Sequence, residues 1–321
     1  MRQMELAIET HGLVKKFRSF RGLGSILSPR GRFRLMRETV ALDGIDLQVP
    51  RGSVYGLLGR NGAGKTTTVQ LLMGLLEPTA GDISVLGLHP LKQDVELKRR
   101  VGHVADGQKM YEFYTIEELC DFASVFYPSW NRKLQDELID RFDLPRDQRL
   151  AEFSRGMKAQ AALVLALSHE PELLLMDEST SGLDAVIRRQ FLESIVEMSH
   201  ESHRTVVLSS HIIDDMERVC DWVGLIHKGK LIIQSPLEDL KKSVKQLRVV
   251  SPHPMASLPR AVSEHTVRLE QLNAETLITV KSFTRQMVDA LQAAGATRVE
   301  VDDLSLEEIF VALTTGAERQ R

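Results

Sequence analysis

Residues 53–76 read Ser-Val-Tyr-Gly-Leu-Leu-Gly-Arg-Asn-Gly-Ala-Gly-Lys-Thr-Thr-Thr-Val-Gln-Leu-Leu-Met-Gly-Leu-Leu. A short apolar strand (Val54, Tyr55, Leu57, Leu58) runs into Gly59-Arg60-Asn61-Gly62-Ala63-Gly64-Lys65-Thr66 and then into a helix opening with Thr67. This is the phosphate-binding pattern G-x-x-x-x-G-K-[ST] in its strand, loop, helix setting. A loop that bends around a polyphosphate needs positions without a Cβ, which Gly59, Gly62 and Gly64 provide. Its amide N–H groups then converge on anionic oxygens, reinforced by the positive end of the following helix. Lys65 supplies a mobile positive charge, and the Thr66 hydroxyl can ligate Mg²⁺.

The chain around this loop has 321 residues, 43% hydrophobic and 26% charged, enough for one large domain and a smaller one. A net charge of −3 argues against a nucleic-acid partner, which would call for an excess of Lys and Arg. Cys120 and Cys220 form no C-x-x-C pair, so neither a disulfide framework nor a zinc site is indicated and a reducing cytoplasm fits. The N-terminus lacks a signal-peptide layout, and no apolar run approaches the ~20 residues of a membrane span. Residues 18–39 carry six arginines (Arg18, Arg21, Arg30, Arg32, Arg34, Arg37) against one acid, Glu38. That segment reads as a solvated loop or hairpin, or as a stretch lying near an anionic membrane face.

Two further stretches carry chemistry. Leu173-Leu174-Leu175-Met176 is a buried-strand pattern ending in Asp177-Glu178. An acid at the C-terminal end of a strand beside a phosphate loop can hold Mg²⁺, and a second acid directly after it can deprotonate water. Thr205 to Ser209 is another buried strand, followed by Ser210-His211, which places His211 for a γ-phosphate contact. Between phosphate loop and acids, helical spacing from Thr115 (Ile116, Leu119, Phe122, Ala123, Phe126, then Leu134, Leu138, Ile139, Phe142) marks a helical insertion, about 112–170. Tyr127 and Trp130 join its halves as core aromatics. Ser154 caps an Ala- and Leu-rich helix from Ala159 to Ser168.

The order of motifs resembles the ATP-binding subunits of ABC transporters. Gly59 to Thr66 stand at Walker A, Phe153 to Met157 at the signature, Leu173 to Glu178 at Walker B, Ser181 to Asp184 at the D-loop and His211 at the switch histidine. Phe17 sits where that family's adenine-stacking aromatic lies. The resemblance implies an α/β fold: a P-loop NTPase core with an antiparallel β subdomain and a helical insertion over residues 1–240. A small C-terminal α+β domain over residues 241–321 follows from strands at 246–251, 267–272, 276–280 and 297–301. A helix over 284–294 and a last helix with a Ser305/Glu308 capping box complete it.

The implied activity is ATP hydrolysis with Mg²⁺, in a head-to-tail dimer with a second ATP-binding subunit, homodimer or heterodimer. Each ATP would lie between the loop residues 59–67 of one chain and Ser154 and Gly156 of the other. Glu178 is the base, His211 holds phosphate and water, and Thr66 and Asp177 hold the metal. An integral membrane subunit on another chain would be driven by this one, itself cytoplasmic and peripheral at the inner face of the membrane. Arg155 and Met157 depart from the usual signature. Signatures of the Ser-x-Gly-Met type, Tyr127-Pro128-Ser129-Trp130 and the ending Leu306-Glu307-Glu308-Ile309-Phe310 are similar to the type-2 export subfamily. A soluble ABC-type ATPase with a non-transport partner is the alternative; a guanine-reading Asn-Lys-x-Asp is lacking. Where the family has a glutamine after the Val101 to Val104 strand, this chain has Ala105-Asp106-Gly107-Gln108. Asp106, by count from the strand, is the expected metal-side contact, and Gln108, two residues later, is the other choice.

Overall fold

Three strands, β4 (Val54–Leu58), β7 (Leu173–Asp177) and β8 (Thr205–Ser210), have every residue buried. Such unbroken burial belongs to parallel strands covered on both faces, which is why these stretches read as continuous apolar runs and not as alternating ones. The structure, a computed structural model, describes residues 5–20, 36–251, 257–272 and 275–319. It divides into two compact units, Met1–His211 with Gly224–Gln234, and Ile212–Val223 with Ser235–Arg321.

In the first unit, β4 pairs in parallel with β8, β8 with β7, and β7 with β6 (Val101–Ala105). β9 (Trp222–His227) and β10 (Lys230–Pro236) complete the order β10-β9-β4-β8-β7-β6. The register aligns Leu57 with Ser209, Ser209 with Asp177 and Asp177 with Ala105. The C-terminal ends of four strands therefore meet at one edge, where open α/β sheets place their ligands. A separate antiparallel sheet is built on β1 (Leu6–Phe20), flanked by β2 (Met36–Ile45), β3 (Gln48–Pro50) and β5 (Ala80–Val85). β1 runs on past Phe17, pairing with β2 as far as Phe20 opposite Met36, so both ends of the arginine-rich segment are strand. Residues 21–35, which hold Arg21, Arg30, Arg32 and Arg34, lie outside the described residues.

The helices are α1 (Lys65–Leu72), α2 (Asp94–Arg100), α3 (Ile116–Ser124), α4 (Arg132–Arg141), α5 (Arg155–Leu167) and α6 (Ala185–Ser202). α3 starts from a capping box in which Thr115 and Glu118 satisfy each other's backbone N–H. Of its expected apolar face, Ile116 and Leu119 are buried and Phe122 is 42% exposed, whereas Phe126, expected on the same helix, lies in the turn beyond Ser124 and is 60% exposed. Helical spacing is set by the local chain; which side of the stripe is covered depends on what packs against it. Tyr127 and Trp130 are half-buried: Tyr127 stacks on His169 at 4.1 Å, and Trp130 Nε1 donates to Gln135 Oε1 at 2.8 Å.

The second unit holds α7 (Ile213–Val219), α8 (Leu237–Ser243), α9 (Arg260–Ser263), α10 (Arg285–Ala293) and α11 (Leu306–Arg319). Its antiparallel sheet has the order β12 (Thr266–Leu272), β13 (Glu275–Val280), β11 (Lys245–Val250), β14 (Arg298–Asp303). Leu247, Val249, Ile278 and Val280 from the sheet pack against Met287 and Leu291 of α10. Ser305 and Glu308 form the expected box: Glu308 N donates to Ser305 Oγ at 3.2 Å and Ser305 N to Glu308 Oε2 at 2.8 Å. Leu306, Ile309, Phe310 and Leu313 are buried within this unit.

Candidate nucleotide site

The loop after β4 closes onto α1 through Gly64, whose φ of 118° lies in the left-handed region. A Cβ at Gly64 would stand 2.5 Å from Leu42 Cδ2 and 2.9 Å from the Ala41 carbonyl oxygen, so conformation and space both require glycine. The result is a cavity of about 390 Å³ lined by Ala41, residues 60–62 and 64–67, and Glu178.

Lys65 is withdrawn from solvent. Its Nζ donates to the Gly59 carbonyl at 2.6 Å and lies 2.9 Å from Glu178 Oε1. The other carboxylate oxygen of Glu178 lies 2.6 Å from His211 Nδ1. Lys65 and Glu178 line the cavity and His211 joins them through Glu178, one chain of contacts built from the ends of three neighbouring strands. Glu178 holds an unusual backbone, φ 49°, for a residue with a side chain. Such strain costs on the order of 1–3 kcal/mol and persists where surroundings over-determine it. Here the Glu178 N–H is shared between the Ser209 carbonyl at 3.1 Å and Ser209 Oγ at 3.2 Å.

Asp177 accepts from Thr66 Oγ1 at 3.2 Å and from Ser209 Oγ at 2.5 Å on the same oxygen. A hydroxyl and a carboxylate at this spacing are the hard oxygen donors that Mg²⁺ takes. Among the described residues no group of three or more His, Cys, Asp or Glu forms a metal cage of its own. Nearby in β6, burial holds the His103 imidazole below its ordinary range, with the charge of Asp177 acting the other way.

The remaining expected residues stand apart from this cavity. Phe17 is 40% exposed on β1, with Lys15 Nζ 5.2 Å from its ring centroid. Ser154 caps α5 by accepting from Met157 N at 3.2 Å, and Gly156 is buried one residue into the same helix. Asp106 N donates to the Asp177 carbonyl at 2.8 Å, but the Asp106 carboxylate pairs with Arg155 Nη2 at 3.0 Å instead of standing with Thr66. The loop backbone lies beside Asp177 while the Asp106 side chain leaves toward α5. Gln108 turns back on its own loop, Oε1 accepting from Ala105 N at 3.4 Å. Ser209 was readable from sequence only as a strand residue, and the Glu178 conformation left no signal, because glycine is the residue that advertises positive φ.

Residues 42–181 match the ABC transporter family. The chain is 36% identical over 204 residues to the bacitracin transport ATP-binding protein BcrA of Bacillus licheniformis, covering 63% of this chain and 67% of that one. Against the daunorubicin/doxorubicin resistance ATP-binding protein DrrA of Streptomyces peucetius the identity is 32% over 324 residues, 96% of this chain and 92% of that one. A solved structure of an ATP binding subunit of an ABC transporter aligns with a TM-score of 0.60 and 27% identity, over 74% of this chain and 92% of that chain. The chain belongs to the ABC transporter ATP-binding proteins and is an ATP hydrolase of that class.

Proposed function

We propose that this chain powers export through a separate membrane subunit. It binds ATP with Mg²⁺ in the cavity at residues 59–67 and closes head-to-tail on a second ATP-binding subunit. The observation that carries this reading is the chain of contacts from Lys65 through Glu178, both lining the cavity, to His211. ATP entering the cavity would take Lys65 for its β- and γ-phosphate oxygens, and Glu178, released from the ammonium, would accept a proton from the attacking water. His211 would hold Glu178 and the γ-phosphate in line. Thr66 and Asp177 would hold Mg²⁺, which supplies charge neutralisation at the phosphates. Ser154 and Gly156, at the N-terminus of α5, would face the ATP of the partner chain, so that loss of the γ-phosphate reopens the pair.

Export is supported by the names of the relatives, which speak of bacitracin transport and of drug resistance. No helix among the described residues is long and apolar enough to cross a membrane, so the translocation path would belong to another chain. Tyr111, Phe113, Phe122 and Phe126 form linked ring contacts at 5.6–5.9 Å on α3 and the chain flanking it and are all exposed. An exposed aromatic patch of this kind suits a protein interface. Co-expression with a membrane protein of about six spanning segments encoded alongside should move the chain into the membrane fraction. Phe122→Glu with Phe126→Glu should return it to the supernatant with ATP hydrolysis by the free chain unchanged; membrane association indifferent to both changes would refute this arrangement.

A further inference from the structure

α5 opens with cations where a helix least favours them. Its first turn carries no acid, and Arg155 and Lys158 stand at the end where unpaired N–H groups give a partial positive charge. Both are compensated from the loop that follows β6. Arg155 Nη2 donates to Asp106 Oδ1 at 3.0 Å, and Lys158 Nζ to Glu112 Oε1 at 2.8 Å. The loop is therefore held to α5 at two points.

Arg155 makes a second contact, with the turn that leaves Glu178. Its guanidinium lies directly over Gly182: a Cβ there would come within 2.1 Å of Arg155 Nη1 and 2.4 Å of Cζ, and Gly182 has φ +71°. That turn is tied to the acid strand, because Ser181 N donates to the Glu178 carbonyl at 2.9 Å. The Asp106 loop is tied to it as well, through Asp106 N and the Asp177 carbonyl at 2.8 Å. One guanidinium thus joins the loop after β6, the Ser154-capped start of α5 and the turn after Glu178. A planar group with donors on its edge and an open face can serve a carboxylate and a bare Cα together, which an ammonium cannot.

We propose that Arg155 is a positioning residue for ATP hydrolysis, acting with Asp106 and Gly182 to orient the start of α5 and the 179–183 turn against the end of β7. It deepens the site reading given above and rests on ATP being bound at residues 59–67. Arg155 and Asp106 line a groove that shares no residue with that cavity, so the device does not touch the loop that binds ATP in its own chain. Arg155 and Asp106 are 59% and 45% exposed, so the pair adds little to folding stability and its use lies in geometry.

The test is a charge exchange in the full chain, reading kcat, KM for ATP, the Mg²⁺ concentration for half-maximal activity, and the melting temperature. Arg155→Asp and Asp106→Arg should each lower kcat about fivefold, the scale of an exposed pair, with KM for ATP and the Mg²⁺ requirement within about twofold of the parent and melting unchanged. Joining the two substitutions should restore kcat to within about twofold of the parent, and Arg155→Lys should not match it. Absence of recovery in the exchanged pair overturns the proposal. So does a raised Mg²⁺ requirement in Asp106→Asn with none in Arg155→Gln, which would make Asp106 a metal-side group instead. Failure of the parent chain to bind ATP would strike the site reading itself, before any variant is compared.

Discussion

Lys65 Nζ lies 2.9 Å from Glu178 Oε1, with 4% and 16% of the two side chains exposed. In a setting this dry the ammonium and carboxylate interact strongly, and a polyphosphate must compete with the carboxylate for the lysine. Replacing Glu178 by Gln removes both that competition and the repulsion between carboxylate and phosphate. Glu178→Gln should bind ATP about tenfold tighter, hydrolyse it about 10²–10⁴-fold more slowly and accumulate as a dimer. Titration calorimetry with ATP and size-exclusion chromatography with Mg²⁺ check this; a variant that stays monomeric with unchanged affinity would count against it.

Lys65→Ala should instead weaken ATP binding. Charge-assisted hydrogen bonds contribute roughly 1.5–3 kcal/mol each, so ATP affinity should fall by about ten- to a hundredfold. The Glu178 carboxylate also loses its buried partner, and the melting temperature without nucleotide should drop. Calorimetry and thermal denaturation of the same preparation separate the two effects.

Gly64→Ala tests the loop itself. The backbone φ of 118° and the 2.5 Å approach to Leu42 leave no room for a methyl group. Strain on the order of 1–3 kcal/mol should lower the melting temperature, and saturating ATP should no longer raise it, because the amide cradle is displaced. A normal ATP-induced shift would mean the loop adapts.

His103 and His169 predict the acid limb of stability. Burial is the first cause in both, and it holds each imidazole below the ordinary value of 6.5. Below pH 6.5 the unfolded chain therefore binds more protons than the folded one. Stability that is fully present above pH 6.5 should be lost as the pH falls toward the lowered values. His169→Phe, which keeps a ring against Tyr127, should flatten the fall in melting temperature as the pH drops below 6.5. An unchanged slope would assign the effect to other groups.

The local features of this protein were legible in its sequence. The strand into Gly59–Thr66 and α1, the Ser154 cap, the buried run ending in Asp177 and the Ser305/Glu308 box are each written within a few residues, where hydrophobic period and backbone preference act. Tertiary structure decided what those residues touch. Ser209 reaches Asp177 and Glu178 only because parallel register sets the ends of β7 and β8 side by side. Lys65 meets Glu178, and Glu178 takes a left-handed backbone, because β8 stands between β4 and β7. Phe122 kept its place in α3, whereas Phe126 fell in the turn beyond Ser124, and both stay largely exposed. Asp106, whose place after β6 suggested a metal, turned to Arg155 because α5 brings two cations to that loop. Periodicity and caps are short-range properties of the chain, whereas ion pairs and register follow from which distant segments the core brings together.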